Sequence, residues 1–81
     1  MKSTLHFLVT SIVDHADDVV IDEQTDAERT VLTIHVNPED MGKIIGKSGR
    51  IIRALRDLIK LIAAKHSVYA DVEVAESEPT A

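Results

Sequence analysis

The chain has no cysteine, no tryptophan, one phenylalanine and one tyrosine among its 81 residues. Because cysteine is absent, disulfides and thiolate metal sites are excluded, and a reducing compartment is expected. Because aromatics are so scarce, the ring-stacking surfaces of many single-strand nucleic-acid binders are expected to be missing. The sequence has no apolar run long enough to span a membrane and no signal-peptide pattern at its start. These absences predict a cytoplasmic protein without a membrane partner.

The length allows one small domain with one core. The net charge of −5 argues against a nucleic-acid partner at first. Its distribution reverses that impression, because residues 42–66 hold seven lysines and arginines against Asp57 alone, a net charge of +6. The remaining residues carry two basic side chains against thirteen acids, a net charge of −11. The basic segment is either a solvated helix face or a binding surface for an anion.

The first half of the chain predicts one helix and two strands. Apolar residues at helical spacing indicate a helix that ends between Asp14 and Asp17; they are Leu5, Leu8, Val9, Ile12 and Val13. Residues 19–21 are β-branched and predict a short strand, and residues 24–28 are polar and predict a turn. Residues 30–36 alternate between apolar and polar positions, so we expect a strand with one buried face.

The second half predicts two helices and a third strand. Asn37 and Pro38 are typical of a helix start, and the carboxylates of Glu39 and Asp40 complement the helix dipole. This helix stops at Gly46, and a longer one runs from Gly49 to about residue 65. Its predicted apolar stripe consists of Ile52, Leu55, Ile59 and Ile62, widened by Ile51 and Leu58. Residues 68–74 alternate as a strand, and residues 76–81 predict a disordered acidic tail after a domain of residues 1–75.

A glycine loop lies between the two predicted helices of the second half. Gly46 and Gly49 are separated by Lys47 and Ser48, and a basic helix follows. Glycine allows strained turns and close approach of another molecule to the backbone. A helix start offers free amides and a positive dipole end to an anion. A nucleic-acid backbone is the anion we expect here.

The segment Ile45-Gly46-Lys47-Ser48-Gly49-Arg50-Ile51-Ile52 matches the KH pattern I-G-x-x-G-x-x-I. With its flanking elements, the chain resembles the small stand-alone bacterial KH proteins of the KhpA type, over roughly residues 2–75. The resemblance implies an α+β fold, a single type II KH domain in the order α-β-β-α-(GxxG)-α-β, whose three-stranded sheet is covered on one face by three helices. It also implies single-stranded RNA binding without a cofactor, self-association, and pairing with a second KH-containing protein of the KhpB or Jag-like type. Post-transcriptional control or RNA chaperoning, linked to cell elongation or division, is the role implied.

KH loops clamp about four nucleotides of a single strand through the backbone. The candidate RNA-binding residues are therefore the loop and its neighbours: Gly46, Lys47, Ser48, Gly49, Arg50, Arg53, Lys43, Ile45 and Ile52. Ile45 and Ile52 are expected in the core rather than on a base, and the direction of Lys43 stays open. The other basic residues of the segment are expected in solvent or at an interface; they are Arg56, Lys60 and Lys65. Phe7 is expected to pack in the first helix, and Tyr69 to lie on the open face of the sheet.

The residue spacing does not match the motifs of nucleotide-binding, metal-binding or catalytic sites. A P-loop needs G-x-x-x-x-G-K-[ST], whereas Met41 stands where the first glycine is required. The four histidines lack metal-ligand spacing, and Ser48 has no histidine beside it in sequence. We therefore expect no enzyme, no metal and no cofactor. Two alternatives remain open: a protein-interaction adaptor that keeps the KH fold, and a ribosome-assembly factor that binds ribosomal RNA.

Overall fold

The structure is a computed structural model and describes residues 1–75. Helices and strands follow the predicted order; they are α1 (Lys2–Thr10), β1 (Val20–Thr25), β2 (Arg29–His35), α2 (Met41–Ile45), α3 (Arg50–Lys65) and β3 (Tyr69–Val74). The predicted α+β class with three strands and three helices is confirmed. The predicted tail, residues 76–81, lies outside the described residues.

Helix α1 is shorter than the sequence predicts. It ends at Thr10 rather than between Asp14 and Asp17, and at this end the hydroxyls of Thr10 and Ser11 both donate to the carbonyl oxygen of Phe7, at 3.0 and 2.7 Å. Such side-chain bonds compete with the helical ladder. Ile12 and Val13 still pack against the core as the chain turns away.

Strand β1 is longer than the sequence predicts. It starts at Val20 and continues to Thr25, so the expected turn begins two residues late, at Asp26. Antiparallel pairing with β2 extends the strand, and the hydroxyls of Thr25 and Thr30 lie 3.1 Å apart across it. The turn closes on Asp26, whose carboxylate accepts from the amides of Glu28 and Arg29.

The sheet has the order β1-β2-β3, with β2 antiparallel to β1 and parallel to β3. Every element contributes to one core beneath the helices; its largest fully buried side chains are Leu5, Val9, Leu32, Ile34, Ile44, Ile59 and Val72. Because β3 runs parallel to β2, the chain must cross over between them, and α2, the glycine loop and α3 make this connection. The glycine loop and the start of β3 therefore lie at opposite ends of α3.

Helix α3 follows the predicted range, but its buried stripe is narrower than expected. Leu55, Ile59 and Ala63 are buried, whereas the two widening residues are exposed, Ile51 by 37% and Leu58 by 46%. Phe7 was also predicted to pack, and it is 68% exposed. These exposed apolar side chains are surface features that periodicity alone assigned to the core.

Candidate nucleic-acid interface

The two loop glycines adopt conformations that disfavour other residues. Gly46 has φ +75° and ψ 174°, a region that is almost exclusive to glycine, and Gly49 has φ +72° and ψ 18°. A Cβ on Gly46 would lie 2.3 Å from Cγ1 of Ile51 and 2.9 Å from its backbone nitrogen. The chain therefore folds tightly back on itself at Gly46, where the loop leaves α2.

Lys47 and Ser48 form the tip of the loop. The Gly49 amide donates to the Gly46 carbonyl at 3.2 Å, and Ser48 takes a left-handed conformation with φ 57°. Within residues 1–75, the amides of Lys47 and Ser48 donate to no backbone or side-chain acceptor. Both side chains are exposed. Free amides of successive residues in such a turn form a concavity suited to an anion.

Arg50 and Arg53 lie on the first turn of α3, as the sequence predicts. Arg50 is exposed. The Arg53 guanidinium turns back toward the loop, where Nη2 donates to the Ser48 carbonyl and Nε to the Gly49 carbonyl at 3.4 Å. Arg53 thus offsets the negative ends of the loop carbonyls as well as bringing a positive charge to the site.

Lys43 contacts two carboxylates, Asp14 in the segment after α1 and Asp40 just before α2. Its ammonium lies 2.9 Å from Asp14 Oδ2 and 3.6 Å from Asp40 Oδ1. The hydrogen bond to Asp14 and the charge of that carboxylate raise the pKa of Lys43, and Asp40 adds to the shift. The sequence prediction that Lys43 contacts RNA requires its ammonium to leave both carboxylates.

Asp40 is fully buried, which the sequence did not reveal. Its carboxylate accepts from the amides of Asp14 and His15, at 3.2 and 2.9 Å. Burial by itself raises the pKa of Asp40, but these two hydrogen bonds, with the nearby charges of His15 and Lys43, hold it below the ordinary value of 3.8. Asp40 therefore fastens the segment after α1 to the start of α2. The predicted cap is also present, since Asn37 Oδ1 accepts from the Glu39 amide at 2.9 Å.

The apolar residues beside the loop differ in burial. Ile52 packs against the core, as expected. Ile45 was expected in the core too, but it is 40% exposed, because its neighbour Ile44 occupies the buried position of α2. Ile45 is thereby available beside the loop as an apolar contact.

Arg56 has a structural role that the sequence analysis missed. Its Nε and Nη2 donate to the carbonyl of Val72 at 3.3 and 3.2 Å, and Nε lies 3.2 Å from Asp71 Oδ1. Asp71 in turn accepts from the Val72 amide at 2.8 Å. Both outward-facing backbone groups of Val72 are thus satisfied on the open edge of β3.

The basic segment keeps most of its charge free. Two of its seven cations, Lys43 and Arg56, are held by carboxylates. The other five make no ion pair within residues 1–75; they are Lys47, Arg50, Arg53, Lys60 and Lys65. Three of these five surround the glycine loop, so the positive potential is concentrated where the free amides are.

The sequence matches the family model described as "KhpA/KhpB, KH domain" over residues 2–74. The chain belongs to this family. The match spans the glycine loop and both flanking helices, and the family is non-enzymatic.

Curated relatives of the KhpA/KhpB family cover almost the whole chain. A protein named RNA-binding protein KhpA from Clostridium acetobutylicum is 43% identical over 74 residues, 91% of this chain and 99% of the relative. Proteins of the same name are 44% identical in Leifsonia xyli subsp. xyli and 40% identical in Halalkalibacterium halodurans. These alignments cover 89% and 94% of this chain, and 95% and 100% of the relatives. No solved structure gives a significant match to the chain.

In the part of the chain that the structure describes, no helix is long and apolar enough to cross a membrane. No cluster of three or more histidine and carboxylate side chains within residues 1–75 has a geometry that could hold a metal ion.

Proposed function

We propose that this protein binds single-stranded RNA through the loop of residues 46–49. The observation that carries the proposal is the pair of free amides at Lys47 and Ser48, held in a left-handed turn among three unpaired cations. Relatives of similar length are named RNA-binding proteins, which supports RNA as the anion.

In this proposal the loop recognises the sugar-phosphate backbone rather than base identity. The amides of Lys47 and Ser48 donate to phosphate oxygens, and the Lys47 ammonium and the Ser48 hydroxyl add a charge and a further donor. Arg50 reaches a flanking phosphate, while Arg53 shapes the loop through its bonds to Ser48 and Gly49. Exposed Ile45 and half-buried Ile52 provide the aliphatic surface for bases.

A double substitution of the loop tip tests the proposal. Lys47→Asp with Ser48→Asp places carboxylates beside the free amides, so RNA binding measured by fluorescence anisotropy should fall at least about 100-fold, the effect of losing several charge-assisted contacts. The thermal melt should change little, because both side chains are exposed. RNA binding equal to that of the wild type would falsify the clamp.

The chain offers a matched control. Lys2 and Ser3 form the same dipeptide on exposed positions of α1. The substitutions Lys2→Asp and Ser3→Asp make the same change in net charge away from the loop. This variant should retain most of its RNA affinity, and an equal loss in both variants would mean that the effect comes from net charge.

We further propose that the domain works as a pair, with a second copy or with a second KH-containing protein. Helix α3 carries a second apolar stripe on its exposed side, formed by Ile51, Ala54, Leu58 and Leu61. The intervals of three, four and three residues place these side chains on one face. Leu61 is 69% exposed. Pairing would cover this stripe and raise the effective concentration of two weak RNA sites.

Leu58→Glu tests the pairing. The substitution puts a charge in the middle of the stripe, and sedimentation velocity should then report a monomer. Lys60→Glu changes a residue of the same helix outside the stripe and should leave the assembly intact. A wild-type protein that stays monomeric alone and when mixed with a second KH-containing protein would overturn the proposal.

The cellular role that we propose is post-transcriptional regulation or RNA chaperoning in the cytoplasm, linked to cell elongation or division. The competing function is that of a protein-interaction adaptor, which the exposed stripe on α3 favours. Crosslinking in cells followed by sequencing distinguishes the two, since an adaptor would recover no RNA above a control protein. Recovery of ribosomal RNA alone, with comigration on ribosomal subunits, would indicate a ribosome-assembly factor instead.

A further inference from the structure

A second feature suited to RNA lies at the end of α3 opposite the glycine loop. A cleft of about 760 Å³ opens there between the last turns of α3 and the start of β3. Its aliphatic walls include Ala64, Val68 and Ala70, and its polar rim includes Arg29, Lys60 and Tyr69. An apolar floor with cations at its rim matches the chemistry of a nucleotide, a flat base attached to an anionic backbone.

Tyr69 is the most unusual member of this cleft. It is the chain's only tyrosine, and it is 78% exposed at the first position of β3. Its partner in the β2–β3 register is Arg29. Val68, which precedes it, is 42% exposed after a turn in which Ser67 takes a left-handed φ of 59°. A ring with so little burial contributes little to the core, whereas its face is open to a base.

The charges of the cleft favour an anion. Asp71 also lines it, but this carboxylate lies 3.2 Å from Arg56 Nε and 3.8 Å from Arg29 Nη2. Lys60 makes no ion pair within residues 1–75. The cleft itself is therefore lined by two cations and one neutralised carboxylate, while Asp26 and Glu28 lie in the adjoining pocket on the other side of Tyr69.

The cleft and the glycine loop are connected by one flank of α3. Arg53, Lys60 and Ala64 are seven and four residues apart, so they lie on one flank of the helix. Fifteen residues separate Gly49 from Ala64, which is about 22 Å of helix. At about 3.4 Å per nucleotide of a stacked strand, about six nucleotides cover that distance.

We propose that Tyr69 stacks on a base of the same RNA strand that the glycine loop clamps, with Arg29 and Lys60 holding the adjacent phosphates. The inference rests on the proposed RNA-binding function and extends its footprint from about four nucleotides to about ten. It also revises the sequence-based expectation that aromatic stacking is missing from this protein.

The test compares a short and a long single-stranded oligonucleotide of mixed sequence, about 4 and about 12 nucleotides in length. Tyr69→Ala should weaken binding of the long oligonucleotide roughly 5-fold to 100-fold, the range measured for loss of one base–aromatic stack, and leave binding of the short one unchanged. Tyr69→Phe keeps the ring and should bind both oligonucleotides like the wild type. Equal affinities of Tyr69→Ala and the wild type for the long oligonucleotide would overturn the inference.

A spectroscopic readout separates stacking from a loss of structure. Because the chain has one tyrosine, its ring protons give a single set of signals in a sample labelled at tyrosine. The long oligonucleotide should shift these signals upfield, and the short one should not. With Lys47→Asp and Ser48→Asp in the loop, the shift should weaken in step with overall affinity. A wild-type protein that binds neither oligonucleotide would overturn the proposed function, whereas one that binds both without a Tyr69 shift would overturn this inference alone.

Discussion

At the scale of single residues, the three glycines of the chain have different requirements. Gly46 combines a glycine-only conformation with a position where an added Cβ would overlap Ile51. Gly49 is left-handed, but a Cβ added there would meet only Arg53 Nη2, at 3.9 Å. A Cβ added to Gly42, within α2, would meet no atom inside 4 Å beyond its chain neighbours and the α2 backbone. The sequence motif marks Gly46 and Gly49 as equivalent, but the structure makes Gly46 the more constrained of the two.

Alanine substitutions at the three glycines should therefore change the free energy of unfolding by different amounts and with different signs. We expect Gly46→Ala to destabilise the fold by about 2–4 kcal/mol, since backbone strain and overlap with Ile51 add together. Gly49→Ala should cost about 1–2 kcal/mol from strain alone. Gly42→Ala should stabilise α2 by about 0.5–1 kcal/mol. Urea unfolding of the three variants measures this order, and a Gly46→Ala variant as stable as Gly42→Ala would contradict the loop geometry.

Asp40 illustrates what a sequence pattern leaves out. Its position after Asn37 and Pro38 predicts a helix start, and the chain forms a 3₁₀ turn over Pro38–Asp40 before α2 begins at Met41. Nothing local indicates that the carboxylate accepts from amides 25 and 26 residues away. Such a contact arises when the segment after α1 packs against the turn before α2, so it depends on tertiary structure that the spacing of residues does not encode.

The charge of Asp40 should make stability depend on pH. Its pKa in the folded protein is lowered, so its contribution is fully present above the ordinary value of 3.8 and is lost as the pH falls through the folded value. Asp40→Asn should melt at a lower temperature than the wild type at pH 7, and the difference should shrink as the pH drops from about 4 to about 2. Circular dichroism melts across this range measure the effect. Asp57 is exposed and makes no ion pair within residues 1–75, so the melting temperature of Asp57→Asn should follow that of the wild type at every pH. If the melting temperature of Asp40→Asn also followed the wild type at every pH, the buried Asp40 carboxylate would not contribute to stability.

At the scale of elements, periodicity predicted which segments are helices and strands but not always which faces they bury. The order of elements, the range of α3 and the alternation of β2 are confirmed. The assignment of Ile51, Leu58 and Phe7 to buried positions is wrong. An apolar residue at helical spacing satisfies the same pattern whether it meets the core of its own domain or a surface that another molecule covers.

Arg56 should protect the edge of β3. We expect Arg56→Ala to cost about 1–2 kcal/mol, because it removes the donors to Val72 and the partner of Asp71. Arg56→Lys should lose less stability than Arg56→Ala, since lysine keeps the positive charge but lacks the planar guanidinium group. Lys60→Ala, on the same helix and without an ion pair within residues 1–75, should change stability by less than about 0.5 kcal/mol. Urea unfolding measures these differences.

The edge itself gives a second measurement. An open strand edge is a template for pairing with another chain. Arg56→Ala should therefore scatter more light than Lys60→Ala when both are held at equal fractions unfolded. Equal scattering by the two variants would mean that Arg56 stabilises the fold but does not prevent the edge of β3 from pairing with another chain.

At the scale of the whole molecule, the charges are divided between two sides. The open face of the sheet carries Asp22 and Glu73, with Asp22 at 2.7 Å from His35, whereas Asp71 on the same face is held by Arg56 and Arg29. The loop and α3 carry the five unpaired cations. In the proposed function, RNA would therefore be held along α3 and the edge of β3 and repelled from Asp22 and Glu73. The sequence reveals the basic segment, but the fold decides that two of its cations, Lys43 and Arg56, are already occupied.

This division predicts how salt affects RNA binding. If two to four phosphates are contacted, the logarithm of the association constant should fall with the logarithm of salt concentration with a slope of about −1.5 to −3. Lys47→Ala should reduce the size of the slope by about 0.7, the value for one phosphate contact on a single strand. Lys43→Ala should leave the slope unchanged, because its ammonium is held by Asp14 and Asp40. Anisotropy titrations with one labelled strand at several potassium chloride concentrations measure all three slopes. A slope reduced equally by Lys43→Ala and Lys47→Ala would show that Lys43 leaves its carboxylates for a phosphate, and the contact surface would then extend from the loop onto α2.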